Sequence, residues 1–245
     1  MTFLSTLRAL ATVSLTTALF AGPPYLTDDP EPVERHHWET YLFMQGVVVS
    51  HGTKSGLLPA FEANYGPFAN AQIQFQIPVA YEQKPDGTRD HGLGDLQAGF
   101  KYRFVQEGNI LPQIAIYPQV QAPTGNEQVG LGNGHWRLYV PVLFQKSFGP
   151  WTTYGGPGWW RNPGDGEQNY MTFGWQVQRS FGETFSMGAE VFHQGADTIG
   201  GTGSTTFNLG CVKSLGSRFA ALATLGRVFH GETGYQVYLG VRGTF

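Results

Sequence analysis

The run GYQVYLGVRGTF, residues 234–245, carries apolar side chains at every second position. Tyr235, Val237, Leu239, Val241 and Phe245 share one parity, while Gln236, Tyr238, Arg242 and Thr244 share the other. Successive strand side chains point to opposite faces, so this run predicts a strand with one apolar and one polar face. The pattern recurs back along the chain over residues 38–50, 57–65, 71–81, 94–105, 110–122, 135–147, 151–156, 169–179, 184–194, 205–213 and 218–229. With residues 235–245 that makes twelve predicted strands. Most have about the 9–11 residues that a tilted membrane strand needs. Residues 151–156 are short, unless 158–160 extend them.

The connections carry a second pattern. Long ones such as EQKPDGTRDHG, PTGNEQVGLGNG, PGWWRNPGDGEQ and GADTIGGTGS alternate with short ones such as QEGN, FGP, SFGE and SLGS. An up-and-down membrane barrel has long outer loops and short periplasmic turns, and an even strand count puts both termini on the periplasmic side. A soluble β-sandwich is the competing reading, but it has no reason to alternate loop lengths. The predicted fold class is therefore all-β, a transmembrane antiparallel up-and-down barrel of about twelve strands.

Composition agrees. Gly is 34 of 245 residues, about twice the usual share, and charged residues are 13%, about half of it. Mean hydropathy is −0.21, and no run approaches the ~20 apolar residues of a membrane helix. In a barrel only alternate residues meet lipid, which keeps average hydropathy low. A net charge of −3 without a basic run argues against a nucleic-acid partner. Cys211 is the only cysteine, so no internal disulfide forms.

Residues 1–21, MTFLSTLRALATVSLTTALFA, have the weakly basic start, short apolar stretch and terminal small residue of a cleaved signal peptide. Residues 22–37, GPPYLTDDPEPVERHH, are too rich in Pro and acids for a regular strand or helix interior. They are expected as a periplasmic N-terminal tail leading to a barrel over 38–245. The adjacent His36 and His37 lack the supporting ligands of a metal site.

Parity assigns the faces. Outward residues include Ile73, Phe75 and Ile77; Leu96, Phe100 and Phe104; Leu138, Val140 and Val142; and Met171, Phe173 and Trp175. The expected lumen-lining set is Glu62, Gln74, Gln76, Asp95, Gln97, Lys101, Arg103, Gln113, Tyr117, Arg137, Tyr139, Gln145, Gln176, Glu190, Asn208 and Arg242. Arg or Lys facing lipid at mid-bilayer costs about 2–4 kcal/mol, so these charges fix the register. In the first strand Tyr41, Phe43, Val47 and Val49 compete with Leu42, Met44 and Val48, and the facing stays open. Pro112 and Pro118 predict a bulge or distortion in the fifth strand. Trp38, Trp136, Trp151, Trp159 and Trp160 are expected in interfacial girdles.

Twelve strands enclose more than eight, which side chains fill, and less than sixteen, which leave a water-filled channel. The Gln-rich wall and Tyr117, Tyr139 and Tyr170 offer neutral hydrogen bonds and aromatic faces. Lys101, Arg103, Arg137 and Arg242 suit anions such as carboxylates. The alternative is that these bases pair with Asp95, Glu62 and Glu190 in a closed internal network. GLGNG at residues 130–134 precedes a strand and lacks a following Lys-Ser/Thr, so it is no phosphate loop. Ser186, His193 and Asn208 are the residues a hydrolase would use, but Ser186 and His193 have opposite parity on one strand. No cofactor motif or catalytic constellation emerges, and no G-x-S-x-G occurs.

The stretches PPYLTDDPEPVERHHWETYLF, HGLGDLQAGFKYRFVQE, APTGNEQVGLGNG, GPWTTYGGPGWWRNPG, FGWQVQRSF and AEVFHQGADTIGG together resemble outer-membrane transporters of the putative MetA-pathway phenol-degradation family. The resemblance runs from about Pro23 to Phe245. It implies a barrel in the Gram-negative outer membrane and uptake of small, in some cases aromatic, compounds. It carries over no catalytic or ligand residues. A terminal Phe on an alternating strand also resembles the signal read by barrel-assembly machinery, here Tyr235, Val237, Leu239, Val241 and Phe245. The expected function is a passive channel, with outer-membrane lipid, lipopolysaccharide and a small-molecule solute as partners. A closed structural or surface-binding barrel is the first alternative, and an outer-membrane hydrolase or acyltransferase the second.

Overall fold

The computed structural model describes residues 24–49 and 54–245. The expected signal peptide, 1–21, lies outside the described residues, as do 22–23 of the expected tail and the 50–53 connection. Fourteen strand segments follow: β1 (Trp38–Val49), β2 (Lys54–Tyr65), β3 (Ala71–Gln83), β4 (Arg89–Leu93), β5 (Leu96–Val105), β6 (Gln113–Ile116), β7 (Gln119–Ala122), β8 (Arg137–Phe148), β9 (Trp151–Arg161), β10 (Tyr170–Ser180), β11 (Phe185–Gln194), β12 (Ser204–Ser214), β13 (Phe219–His230) and β14 (Gly234–Thr244). Segments β4 and β5 share one stave, and β6 and β7 another, giving a closed barrel of twelve antiparallel staves.

Closure is made by β1 pairing with β14, from Glu39 opposite Thr244 to Val49 opposite Gly234. Trp38 and Phe245 exchange two backbone hydrogen bonds at 2.8 and 2.9 Å, which finishes the seam. A closed sheet leaves no unpaired edge, the condition for a sheet to cross a bilayer. Phe75, Ile77, Phe173, Leu209, Leu225 and Leu239 stand exposed around the outside. That belt is far larger than a soluble monomer exposes and matches the lipid-facing surface of a membrane barrel.

Particular residues explain the irregularities. Pro118 has no N–H for the ladder, and the fifth stave breaks there between β6 and β7. The β5–β6 register shifts as well, between Arg103 and Val105. The run expected as a loop after residue 81 is instead a hairpin extension: β4 pairs with β3 from Val79–Leu93 to Gln83–Arg89. Its tip turns at Gly87, with φ at +88°. The short 151–156 run extends to Arg161. In β1 the odd residues Tyr41, Phe43, Val47 and Val49 are buried and Leu42, Met44 and Val48 exposed, which decides the facing.

Most long connections gather at one end of the barrel and most short turns at the other. Residues 84–88, 123–136, 162–169, 195–203 and 231–233 form the loop end. The turn end holds 66–70, 106–112, 149–150, 181–184, 215–218 and the β1–β14 seam.

Candidate functional site: an occupied lumen

The inner wall is built by parity. Gln74, Gln76, Gln97, Gln113, Gln176, Glu62, Asp95, Lys101, Tyr117, Arg137, Tyr139, Glu190 and Asn208 are all buried. Gln145, Arg103 and Arg242 are half-buried on the same face. Neighbouring staves line these side chains up: Glu62 opposes Gln76, Gln76 opposes Gln97, Gln97 opposes Gln121 and Gln121 opposes Arg137. A second row runs through Gln145, Tyr154, Gln176, Glu190 and Asn208. Amides recur because each offers both donor and acceptor to its cross-strand neighbours. Gln97 Nε2, for example, donates to Gln119 Oε1 at 2.7 Å.

The expected tail is not a tail leading up to the barrel, because residues 24–35 run inside it. Arg35 bridges to Gly66 at the turn end. Going back along the chain, the Val33 N–H donates to Gln72 Oε1 at 3.0 Å. Arg103 Nη1 donates to Glu31 Oε1 at 2.6 Å, and Lys101 Nζ to Asp28 Oδ1 at 2.8 Å. The N–H groups of Leu26 and Thr27 then donate to Glu190, at 3.0 and 2.5 Å. The Tyr25 hydroxyl donates to the Gly210 carbonyl at 3.0 Å, and Thr224 Oγ1 donates to the Pro24 carbonyl at 2.6 Å. From β3 to β11 is six staves around a ring of twelve, so the segment crosses the lumen from wall to wall.

The far wall is shaped for it. A Cβ on Gly174 would lie 1.9 Å from Thr27 Oγ1, and one on Gly210 would lie 2.7 Å from the Tyr25 ring. Bare backbone at these two positions lets the segment lie flat on the strands. Its Pro residues and acids explain the course. A Pro-rich chain stays extended without needing a ladder, and Asp28 and Glu31 bring negative charge to the basic β5 wall. The Lys101 and Asp28 side chains are only 4% and 13% exposed, so this pair is held largely out of water.

The lumen charges are therefore satisfied differently from the alternative in which the bases pair with Asp95, Glu62 and Glu190. Lys101 and Arg103 pair with the segment. Arg242 approaches Glu39 at 3.6 Å. Glu190 accepts backbone N–H groups and Asn208 Nδ2, at 2.7 Å, rather than a base. Asp95 holds the 123–136 loop, accepting from the Gly125 N–H at 2.9 Å and the Asn133 N–H at 2.8 Å. Three loops are tied together at that end. His135 Nε2 lies 3.1 Å from Glu167 Oε2, and Asn162 Nδ2 donates to the Asp197 carbonyl at 3.1 Å.

Trp160 departs from its expected place in the girdle. Trp38, Trp136, Trp151 and Trp159 are exposed, but Trp160 is buried. It is adjacent to Trp159, so strand parity turns it into the lumen. There it stacks on Tyr139 with ring centroids 4.6 Å apart, and Arg137 covers it at 4.6 Å. Ser186 and His193 are seven residues apart on β11, roughly 23 Å at the usual strand rise, so they do not converge. Among the described residues no cluster of metal-ligating side chains occurs.

Residues 40–236 match the family described as "Putative MetA-pathway of phenol degradation". The chain belongs to this family. Solved membrane barrels share its fold. An outer membrane channel from Pseudomonas putida F1 is 18% identical, with 89% of this chain and 98% of that one covered at a TM-score of 0.69. The translocator domain of the autotransporter NalP from Neisseria meningitidis is 11% identical, with 85% and 88% covered at 0.55. The KdgM porin in complex with disordered oligogalacturonate is 11% identical, with 85% and 99% covered at 0.54. At such identities the likeness is one of fold, and the family's function has to be argued from its lumen.

Proposed function

We propose that the protein is a channel of the bacterial outer membrane that passes small solutes passively, among them aromatic or anionic compounds. The observation that carries this reading is a closed twelve-stave barrel with an apolar exterior and an inner wall of amides, tyrosines and bases. The channels and porins that share the fold support it. In this reading both termini face the periplasm and the loop end faces outward amid lipopolysaccharide. Tyr235, Val237, Leu239, Val241 and Phe245, all exposed on the outer face, present the strand that assembly machinery reads.

The seated segment narrows the lumen, so solutes pass beside it or when it shifts. It also favours a second reading, a closed barrel with a structural role, since Lys101 and Arg103 both have acidic partners. Liposome swelling separates the two. Vesicles holding the folded protein should swell in small neutral and anionic solutes faster than empty vesicles, with rates falling as solute size rises. Rates equal to those of empty vesicles would establish the closed barrel.

A further inference from the structure

Four bases face the lumen, and three have carboxylate partners: Lys101 with Asp28, Arg103 with Glu31 and Arg242 with Glu39. Arg137 differs. It is 2% exposed, and no carboxylate among the described residues lies within ion-pair distance of it. Its guanidinium has five N–H donors. One Nη1 hydrogen goes to Asn133 Oδ1 at 3.0 Å and one Nη2 hydrogen to the Tyr170 hydroxyl at 2.7 Å, both neutral acceptors. Its Nε–H has no partner among the described residues. A buried cation left with neutral acceptors and a free donor is a strong attractor for an anion.

The surroundings specify more than charge. Trp160 lies beneath the guanidinium at 4.6 Å, and its cross-strand neighbours Tyr139 and Tyr170 have ring centroids 4.6 and 6.0 Å from it. The rings are held in place: the Tyr139 and Thr172 hydroxyls lie 3.0 Å apart, and Gly158 leaves room for Tyr139 against the wall. Planar aromatic faces beside a guanidinium suit a planar aromatic ligand that bears a carboxylate. The opposing group is Asp95, which reaches Arg137 only through Asn133, whose Nδ2 donates to Asp95 Oδ2 at 2.7 Å. Asn133 sits on the 123–136 loop at the loop end, the side from which an external solute arrives in the channel reading.

We propose that Arg137, with Trp160, Tyr139 and Tyr170, binds the carboxylate of a small aromatic acid at the loop end of the lumen, with a carboxylate oxygen taking the place of Asn133 Oδ1. This deepens the channel reading, which it rests on, by naming a class of solute. The site needs no other group than these side chains.

The test is calorimetric titration of the folded full-length protein in micelles with sodium benzoate, benzyl alcohol and sodium acetate. Benzoate should bind saturably at one site. Benzyl alcohol, which lacks the charge, and acetate, which lacks the ring, should each bind at least about tenfold more weakly, the scale of a charge-assisted hydrogen bond. Arg137→Gln should weaken benzoate by at least about tenfold and leave benzyl alcohol unchanged. Arg137→Lys keeps the charge, guards against a folding defect in the first variant, and should bind benzoate with intermediate affinity. Benzoate binding that is absent from the folded protein, or unaltered in Arg137→Gln, would overturn the site. Conductance steps in potassium chloride from the same samples keep the two readings apart. Benzoate binding without steps would remove the channel and leave the site, whereas steps without benzoate binding would do the reverse.

Discussion

At the scale of single residues, the molecule turns on how each lumen charge is answered. Lys101 is buried against Asp28 with Asp29 at 3.8 Å, and Glu190 accepts two backbone N–H groups of the same segment. Removing one partner of a buried pair costs about 3–5 kcal/mol, because the other charge is left out of water and unanswered. Lys101→Ala should therefore loosen residues 24–31 without unfolding the barrel. Hydrogen exchange checks this: the Leu26 and Thr27 amides should exchange much faster than in the wild type, while strand amides at the β12–β13 ladder keep their protection. Of the two readings open for Lys101 and Arg103, bases free for anions or bases paired inside, the contacts with Asp28 and Glu31 favour the paired one. Reversing their charge would act first on the seated segment and only then on ion preference.

At the scale of elements, alternation did most of the work in reading the fold, and its failures have physical causes. Wherever a strand borders lipid, the period of two is strong, and the faces of β3, β5, β8, β10 and β14 could be read directly. Above the bilayer a strand needs no apolar face, so the β3–β4 extension, with its KPDGTRDHG turn, looks like a loop. Residues 24–35 have no period because they pair with no ladder. Their only signal was four acids and three prolines in a chain whose barrel wall carries bases. Trp160 is legible from parity alone: two adjacent tryptophans on one strand cannot both face lipid. The same logic yields a test. Phe75 is exposed on the outside and Gln74, beside it, is buried inside. Phe75→Arg should lower stability in bilayers by about 2–4 kcal/mol, read by urea titration of the folded band, and Phe75→Leu should be nearly neutral.

At the scale of the whole molecule, two designs coexist. The outside carries a belt of exposed apolar side chains that suits lipid, and the inside is a polar wall spanned by the protein's own N-terminal segment. Glycines on the far wall and bases on the near one hold that segment from both ends, so the lumen is obstructed by a built contact rather than by a loose loop. Arg137 lies outside that contact, tied to the 123–136 loop through Asn133. The most direct measurement of this account is single-channel recording in a planar bilayer, comparing wild-type protein with the Lys101→Ala, Arg103→Ala double variant. The account expects discrete small steps from the wild type and larger steps from the variant, as the segment leaves its seat. Silence from both proteins, each shown to be folded, would contradict it.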